Sequence, residues 1–131
     1  MVTDGQFFPL EDVQCEPIFR FDRMGYANKD KYHTFIIVDP DAPIGFMIHQ
    51  CIYNIPEDRI NYGKVLLTYH PPTPPKGQHK YFCILYEQDK MITNEVVVSN
   101  RGYRKYADFT KLLGCRMDPK ASKFFICEHG K

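Results

Sequence analysis

The chain has 131 residues, 44% of them apolar and 15% aromatic, and a formal net charge of +1. That is enough apolar material for one domain with its own core. The near-neutral balance excludes the electrostatic footprint of a nucleic-acid binder or of a protein held on an acidic membrane surface, and no apolar run approaches the roughly 20 residues of a membrane span.

In chain order, residues 1–16 show weak periodicity and are expected to wrap the outside. Their start, Met1-Val2-Thr3-Asp4-Gly5, has neither the basic region nor the apolar core of a signal peptide, so a cytoplasmic location is expected. Residues 17–21 alternate and predict a short strand; residues 22–31 are polar with a glycine and predict a loop. Residues 32–38 form a continuous apolar run of strand length, the pattern of a central strand. Residues 47–55 form a second such run, ended by Pro56-Glu57-Asp58, and residues 63–69 are compatible with strand or irregular structure. Pro71-Pro72-Thr73-Pro74-Pro75 excludes helix and central strand and predicts extended polyproline II. Its P-x-x-P spacing admits an SH3-ligand reading, but a rigid wall between two ordered strands accounts for it better. Residues 81–86 predict another strand.

Residues 105–113 place Tyr106, Phe109, Leu112 and Leu113 at helical spacing, with Gly114 as a C-terminal stop, and residues 123–127 predict a last strand. The sum is a mainly β chain, an antiparallel β-sandwich with a short peripheral helix near the C terminus, in one domain spanning residues 1–131. Nine Tyr and ten Phe with no Trp suit a sheet-rich core. Cys15, Cys51, Cys83, Cys115 and Cys127 are odd in number, widely spaced and without C-x-x-C, so free thiols in a reducing compartment are expected.

Two short runs stand out. Asp39-Pro40-Asp41-Ala42-Pro43 follows the strand pattern at 34–38, and Gly77-Gln78-His79-Lys80-Tyr81 leads into the one at 82–86. Strand ends carry acids and imidazoles on loops held by a rigid scaffold, where binding sites concentrate. Alternate prolines stiffen the first run and orient its carboxylates together. Either run alone reads best as a structural turn; the pair, with matching flanks, favours a site.

Val38-Asp39-Pro40-Asp41-Ala42-Pro43, Pro74-Pro75-Lys76-Gly77-Gln78-His79-Lys80-Tyr81 and Leu85-Tyr86-Glu87-Gln88 resemble the signatures of the phosphatidylethanolamine-binding proteins, also known as the Raf kinase inhibitor proteins. The resemblance runs from about residue 17 to residue 125. It implies an antiparallel β-sandwich with a small anion pocket at one end. The family's pocket residues map by motif onto Asp39, Asp41, His49, Pro75, His79 and Tyr81, with Gly77 allowing close approach of the backbone to the ligand. His49 is placed by its position five residues before Asn54. Histidine and phenol donors suit a phosphate, while the two carboxylates would orient His49 and His79 and favour protonated imidazole, or meet an ammonium. The chain departs from the family pattern at Ile44-Gly45, where Ser-Arg is usual, at Gln50, and at Lys80, where Arg is usual. Its rims look shortened at both ends, an outline compatible with a compact viral homologue or a cellular member.

Other groups carry less. His33, His70 and His129 read as surface, edge or terminal histidines. His49, His79, Asp39 and Asp41 lack zinc-motif spacing, so no metal is expected, and no cofactor motif is present. Arg101, Arg104 and Lys105 read as a solvated helix start. With no G-x-S-x-G and with Cys83 inside a strand pattern, no catalytic residue is assigned, and a small Asp/His hydrolase ranks third. The leading expectation is a lipid- or phosphate-binding module that holds a phospholipid head group or phospho-group and regulates a protein partner such as a kinase. A protein–protein adaptor that has lost ligand binding ranks second.

Overall fold

The computed structural model describes residues 6–9, 31–57, 59–71 and 78–128. Among the described residues, seven strands form one sheet: β1 Gln6–Pro9, β2 Tyr32–Ala42, β3 Gly45–Pro56, β4 Lys64–Leu67, β5 Gln78–Gln88, β6 Gly102–Tyr103 and β7 Met117–Glu128. Their order is β1-β7-β5-β2-β3-β4, with β6 paired to β3. Every pairing is antiparallel except that of β1 with β7, which is parallel. The apolar runs at 32–38, 47–55 and 81–86 become β2, β3 and β5, side by side in the middle of the sheet.

β2 is continuous in apolar residues because both of its faces are covered. Phe35 and Ile37 pack on one face with Tyr81, Cys83, Leu85, Phe125 and Cys127. Ile36 and Val38 pack on the other with Ile48, Cys51, Tyr53, Phe109 and Leu113. The last two come from α1, Tyr106–Thr110, and from the 3-10 turn Lys111–Leu113 that extends it. Gly114 ends this segment in the left-handed region at φ 71°, as its place in the sequence anticipated. The architecture is the expected one, mainly antiparallel β-sheet with a short helix.

Several expectations need correction. Of the expected helical stretch 105–113, the α-helix itself covers Tyr106–Thr110, with Lys105 as its N-cap. Its last turn is a 3-10 turn in which Leu113 is buried and Leu112 is exposed. β7 runs well beyond 123–127, and residues 63–69 contain β4. His33 is fully buried between β3 and β5 rather than at a surface or edge. β1, within a stretch of weak periodicity, pairs with β7. The strand at 17–21 and the polyproline stretch from residue 72 onward lie outside the described residues.

The two signature runs also differ from expectation. β2 continues through Asp39 and Asp41 to Ala42, and β5 already begins at Gln78, so most of both runs lies in strands rather than loops. Only Pro43 and Ile44 connect β2 to β3, where Ala42 pairs with Gly45. Gly45 sits at φ 124°, and a Cβ there would lie 2.9 Å from the Tyr103 carbonyl oxygen. Glycine at this place is therefore required by the short hairpin and by the closeness of β6.

At the opposite end of β2 and β5, the third signature run is structural. Gln88 Oε1 accepts from Thr34 Oγ1 and from the Asn54 backbone N–H, both at 2.8 Å. Its Nε2 donates to Asn54 Oδ1 at 2.9 Å and to the Lys90 carbonyl at 3.0 Å. A buried amide with both ends satisfied ties three elements together and leaves nothing to bind a ligand. Cys51, Cys83, Cys115 and Cys127 are free thiols, while Cys15 lies outside the described residues. No helix among the described residues is long and apolar enough to cross a membrane.

Candidate functional site

Strand alternation puts His79 and Tyr81 on one face of β5, and an irregularity in β2 between Asp39 and Ala42 leaves Asp39 buried and Asp41 exposed. The register that pairs Val38 with Phe82 brings the two strand ends together. His79 Nδ1–H donates to Asp39 Oδ2 at 2.7 Å, and the Asp41 backbone N–H donates to Asp39 Oδ1 at 2.8 Å. Asp39 and His79 are 3% and 8% exposed, so this is a buried ion pair whenever the imidazole is protonated. Both carboxylate oxygens are engaged, which is what a buried carboxylate requires. Asp41 contributes its main chain to Asp39, while the residue itself is exposed.

Tyr81 stands at the centre of the cluster. Its ring stacks on Phe125 at 5.2 Å and on His79 at 6.4 Å, and meets His49 edge-on at 5.1 Å. Its hydroxyl is buried and has no hydrogen-bond partner among the described residues. Burial, and then the Asp39 charge, raise its pKa far above the ordinary phenol value, so the group remains an O–H donor.

His49, on β3, is 2% exposed and donates from Nδ1 to the His70 carbonyl at 2.7 Å. A carbonyl can only accept, so the ring's hydrogen is on Nδ1 and neutral His49 keeps a lone pair on Nε2. Burial holds its pKa below the usual imidazole value; the His70 carbonyl and Asp39 oppose this, and the His70 and Arg101 charges add to it. Asp39 favours the charged form of this imidazole, as expected, but burial outweighs it.

The cluster thus joins Asp39, His49, His79 and Tyr81, with Asp41 behind Asp39. Pro75 and Gly77 lie outside the described residues. Lys80 alternates to the other face of β5, where its Nζ lies 5.2 Å from the Phe124 ring centroid, so replacing the family's Arg there does not touch the cluster. Two residues read as incidental belong to it. His70 supplies its carbonyl to His49, with ring centroids 5.8 Å apart. Arg101 Nη1 donates to the Ile48 and His49 carbonyls at 3.3 and 3.2 Å, so it serves β3 rather than a solvated helix start. Neither role has a sequence signal, since main-chain acceptors look alike in every residue. Among the described residues no group of three or more His, Cys, Asp or Glu is placed to hold a metal ion.

The family model of the phosphatidylethanolamine-binding proteins matches residues 1–123. The protein TWIN SISTER of FT from Arabidopsis thaliana is 26% identical over 97% of this chain and 74% of its own length. A UPF0098 protein from Methanothermobacter thermautotrophicus is 33% identical over 54% of this chain and 60% of its own. Among solved structures, a carboxypeptidase Y inhibitor complexed with its cognate proteinase superposes with a TM-score of 0.77 at 23% identity, covering 96% of this chain and 76% of that one. A putative phosphatidylethanolamine-binding protein homologue from Chlamydia trachomatis gives 0.57 at 20% identity, covering 99% and 93%.

Proposed function

The chain belongs to the phosphatidylethanolamine-binding protein family, and from that membership and the cluster's geometry we propose a module that binds a phosphate-bearing group at Asp39, His49, His79 and Tyr81. The group is a phospholipid head group or another phosphate carrier, and binding regulates a protein partner such as a kinase in the cytoplasm. The observation that carries this reading is the Tyr81 hydroxyl, a buried donor without an acceptor among the described residues, beside the His79–Asp39 pair. A buried O–H is costly unless some state of the protein satisfies it, and a phosphate oxygen does so with a charge-assisted bond. Protonated His79, held through Nδ1 by Asp39, offers Nε2–H as a second donor. Asp41 limits the negative charge the site accepts. Titration of inorganic phosphate against nitrogen-labelled protein tests the reading: the His79, Tyr81 and His49 resonances should shift together and saturate. Uniform small shifts with no saturation refute it.

The reading is not enzymatic. Near the cluster Cys83 and Cys127 are fully buried, and burial raises the Cys83 thiol well above its ordinary range, so it makes a poor nucleophile. A second reading, a protein-binding adaptor, is favoured by the apolar hairpin tip. Ile44 is half exposed there, beside a cleft of about 480 Å³ lined by Pro43, Met47, Asn100, Arg101 and Gly102. The carboxypeptidase Y inhibitor of similar fold was solved bound to its proteinase. Under this reading Ile44→Asp abolishes partner binding, and phosphate produces no saturable shifts.

A further inference from the structure

The outer edge of β3 has two neighbours with a seam between them. β4 pairs with β3 as far as Cys51, and β6 pairs with it at Phe46 and Met47. Ile48 and His49 lie in the seam, where neither strand supplies a regular ladder. The gap is closed by other groups. The Ile48 N–H donates to the Arg101 carbonyl at 2.7 Å, and the His70 N–H donates to the His49 carbonyl at 2.7 Å. The Arg101 side chain closes the rest, with Nη1 on the Ile48 and His49 carbonyls and Nη2 on Thr68 Oγ1 at 3.4 Å. His49 is thus held to the 68–70 segment twice, through its main chain and through its ring on the His70 carbonyl. Arg101 spans both sides of that joint.

We propose that Arg101 is a positioning residue for the cluster: by bridging the seam between β3 and residues 68–70 it holds His49 on the His70 carbonyl, in the single tautomer whose ring acceptor is Nε2. This rests on the phosphate-site reading for its consequence and on the seam geometry for its existence. The consequence is a specificity. A cluster whose donors are the Tyr81 hydroxyl and His79, and whose His49 is an acceptor beside Asp39, favours an anion that also carries a hydrogen. Singly protonated phosphate has such a hydrogen and sulfate has none. An Arg suits the task because its planar fork reaches several carbonyls at once, whereas a Lys ammonium has no fixed fork. The charged and titratable groups facing His49 are Asp39 from β2, Tyr81 from β5, His70 from the segment after β4, and Arg101 from the segment before β6. Of these, Arg101 and charged His70 disfavour a positive imidazole, and Asp39 favours one.

The test uses the full chain and compares wild type with Arg101→Gln and Arg101→Lys. The ring-nitrogen shifts and pH titration of His49 are read without ligand, then inorganic phosphate and sulfate are titrated separately at about pH 6. Arg101→Gln should mix the His49 tautomers and raise its titration midpoint. It should also weaken phosphate binding about fivefold and narrow the preference over sulfate. Arg101→Lys should keep the low midpoint, because the cation remains, and lose part of the tautomer purity. If Arg101→Gln does not fold, Arg101→Lys decides through tautomer purity. A folded Arg101→Gln protein with wild-type His49 shifts and midpoint overturns the proposal. If wild type binds neither anion but the substitution still mixes the tautomers, the phosphate reading fails and the positioning role stands.

Discussion

Tyr81→Phe should make the protein more stable and its phosphate binding weaker. The substitution removes one oxygen and preserves the ring, so the stacking on Phe125 at 5.2 Å and the edge contact with His49 at 5.1 Å survive. The oxygen it removes is buried and lacks a partner among the described residues. A buried hydroxyl without a hydrogen bond costs about 1–3 kcal/mol in protein mutational series. Loss of one polar atom's packing returns part of that, so a net gain of about 1 kcal/mol is expected. For a chain of this size that raises Tm by roughly 3–5 °C. The same hydroxyl is the proposed donor to phosphate, and losing one hydrogen bond to a charged group weakens affinity by about ten- to a hundredfold. Urea unfolding of the apo protein, with the slope unchanged, and phosphate titration of the same sample read both effects. A destabilisation of about 1 kcal/mol or more would mean that the hydroxyl already has a partner. Unchanged phosphate affinity would remove Tyr81 from the site.

His79→Ala leaves Asp39, 3% exposed, with the Asp41 N–H as its remaining partner among the described residues, so stability should fall by about 2–4 kcal/mol. A loss below about 0.5 kcal/mol in urea unfolding would contradict a buried pair. Gly45→Ala should cost upward of about 1–2 kcal/mol, because φ 124° and a Cβ 2.9 Å from the Tyr103 oxygen admit no side chain without movement; an unchanged midpoint would refute this. His49 has a folded-state pKa below its unfolded value near 6.5, so the unfolded chain binds more protons in that range. The stability it contributes is complete above about pH 6.5 and is lost as pH falls through the folded pKa; His49→Gln should flatten that part of the stability profile. Cys51 and Cys83 should resist thiol reagents until the protein unfolds, since burial raises both thiols; rapid labelling of native protein would contradict the sheet register.

How much of this was legible beforehand differs from element to element. The runs at 32–38, 47–55 and 81–86 announced β2, β3 and β5, because a strand covered on both faces is apolar at most of its positions, with buried exceptions such as His33 and His49. Phe109 and Leu113 with Gly114 announced the helical segment and its stop, because helix spacing and a left-handed cap are local properties. The motifs at 38–43, 74–81 and 85–88 were sufficient for the family. What they do was not equally visible. Asp39 and His79 were read as loop residues, since Pro and Gly nearby suggest turns. Tertiary pairing of β2 with β5 and of β5 with β7 carries the strands through them and buries the pair.

Residues 85–88 looked like part of the same signature, yet Gln88 is a structural amide at the far end of the sheet. The burial that lowers the His49 pKa was not legible, because desolvation depends on what covers the ring, which no neighbour in sequence reports. His70 and Arg101 act through main-chain carbonyls and a seam between two partner strands. The sequence by itself determined the three central strands, the helix stop, the family and most of the site's residue types, all of which follow from local spacing and side-chain chemistry. Which of those residues are buried, which proton His49 keeps, and which cation holds it were decided by the tertiary structure alone, because each depends on groups that meet only when the sheet closes.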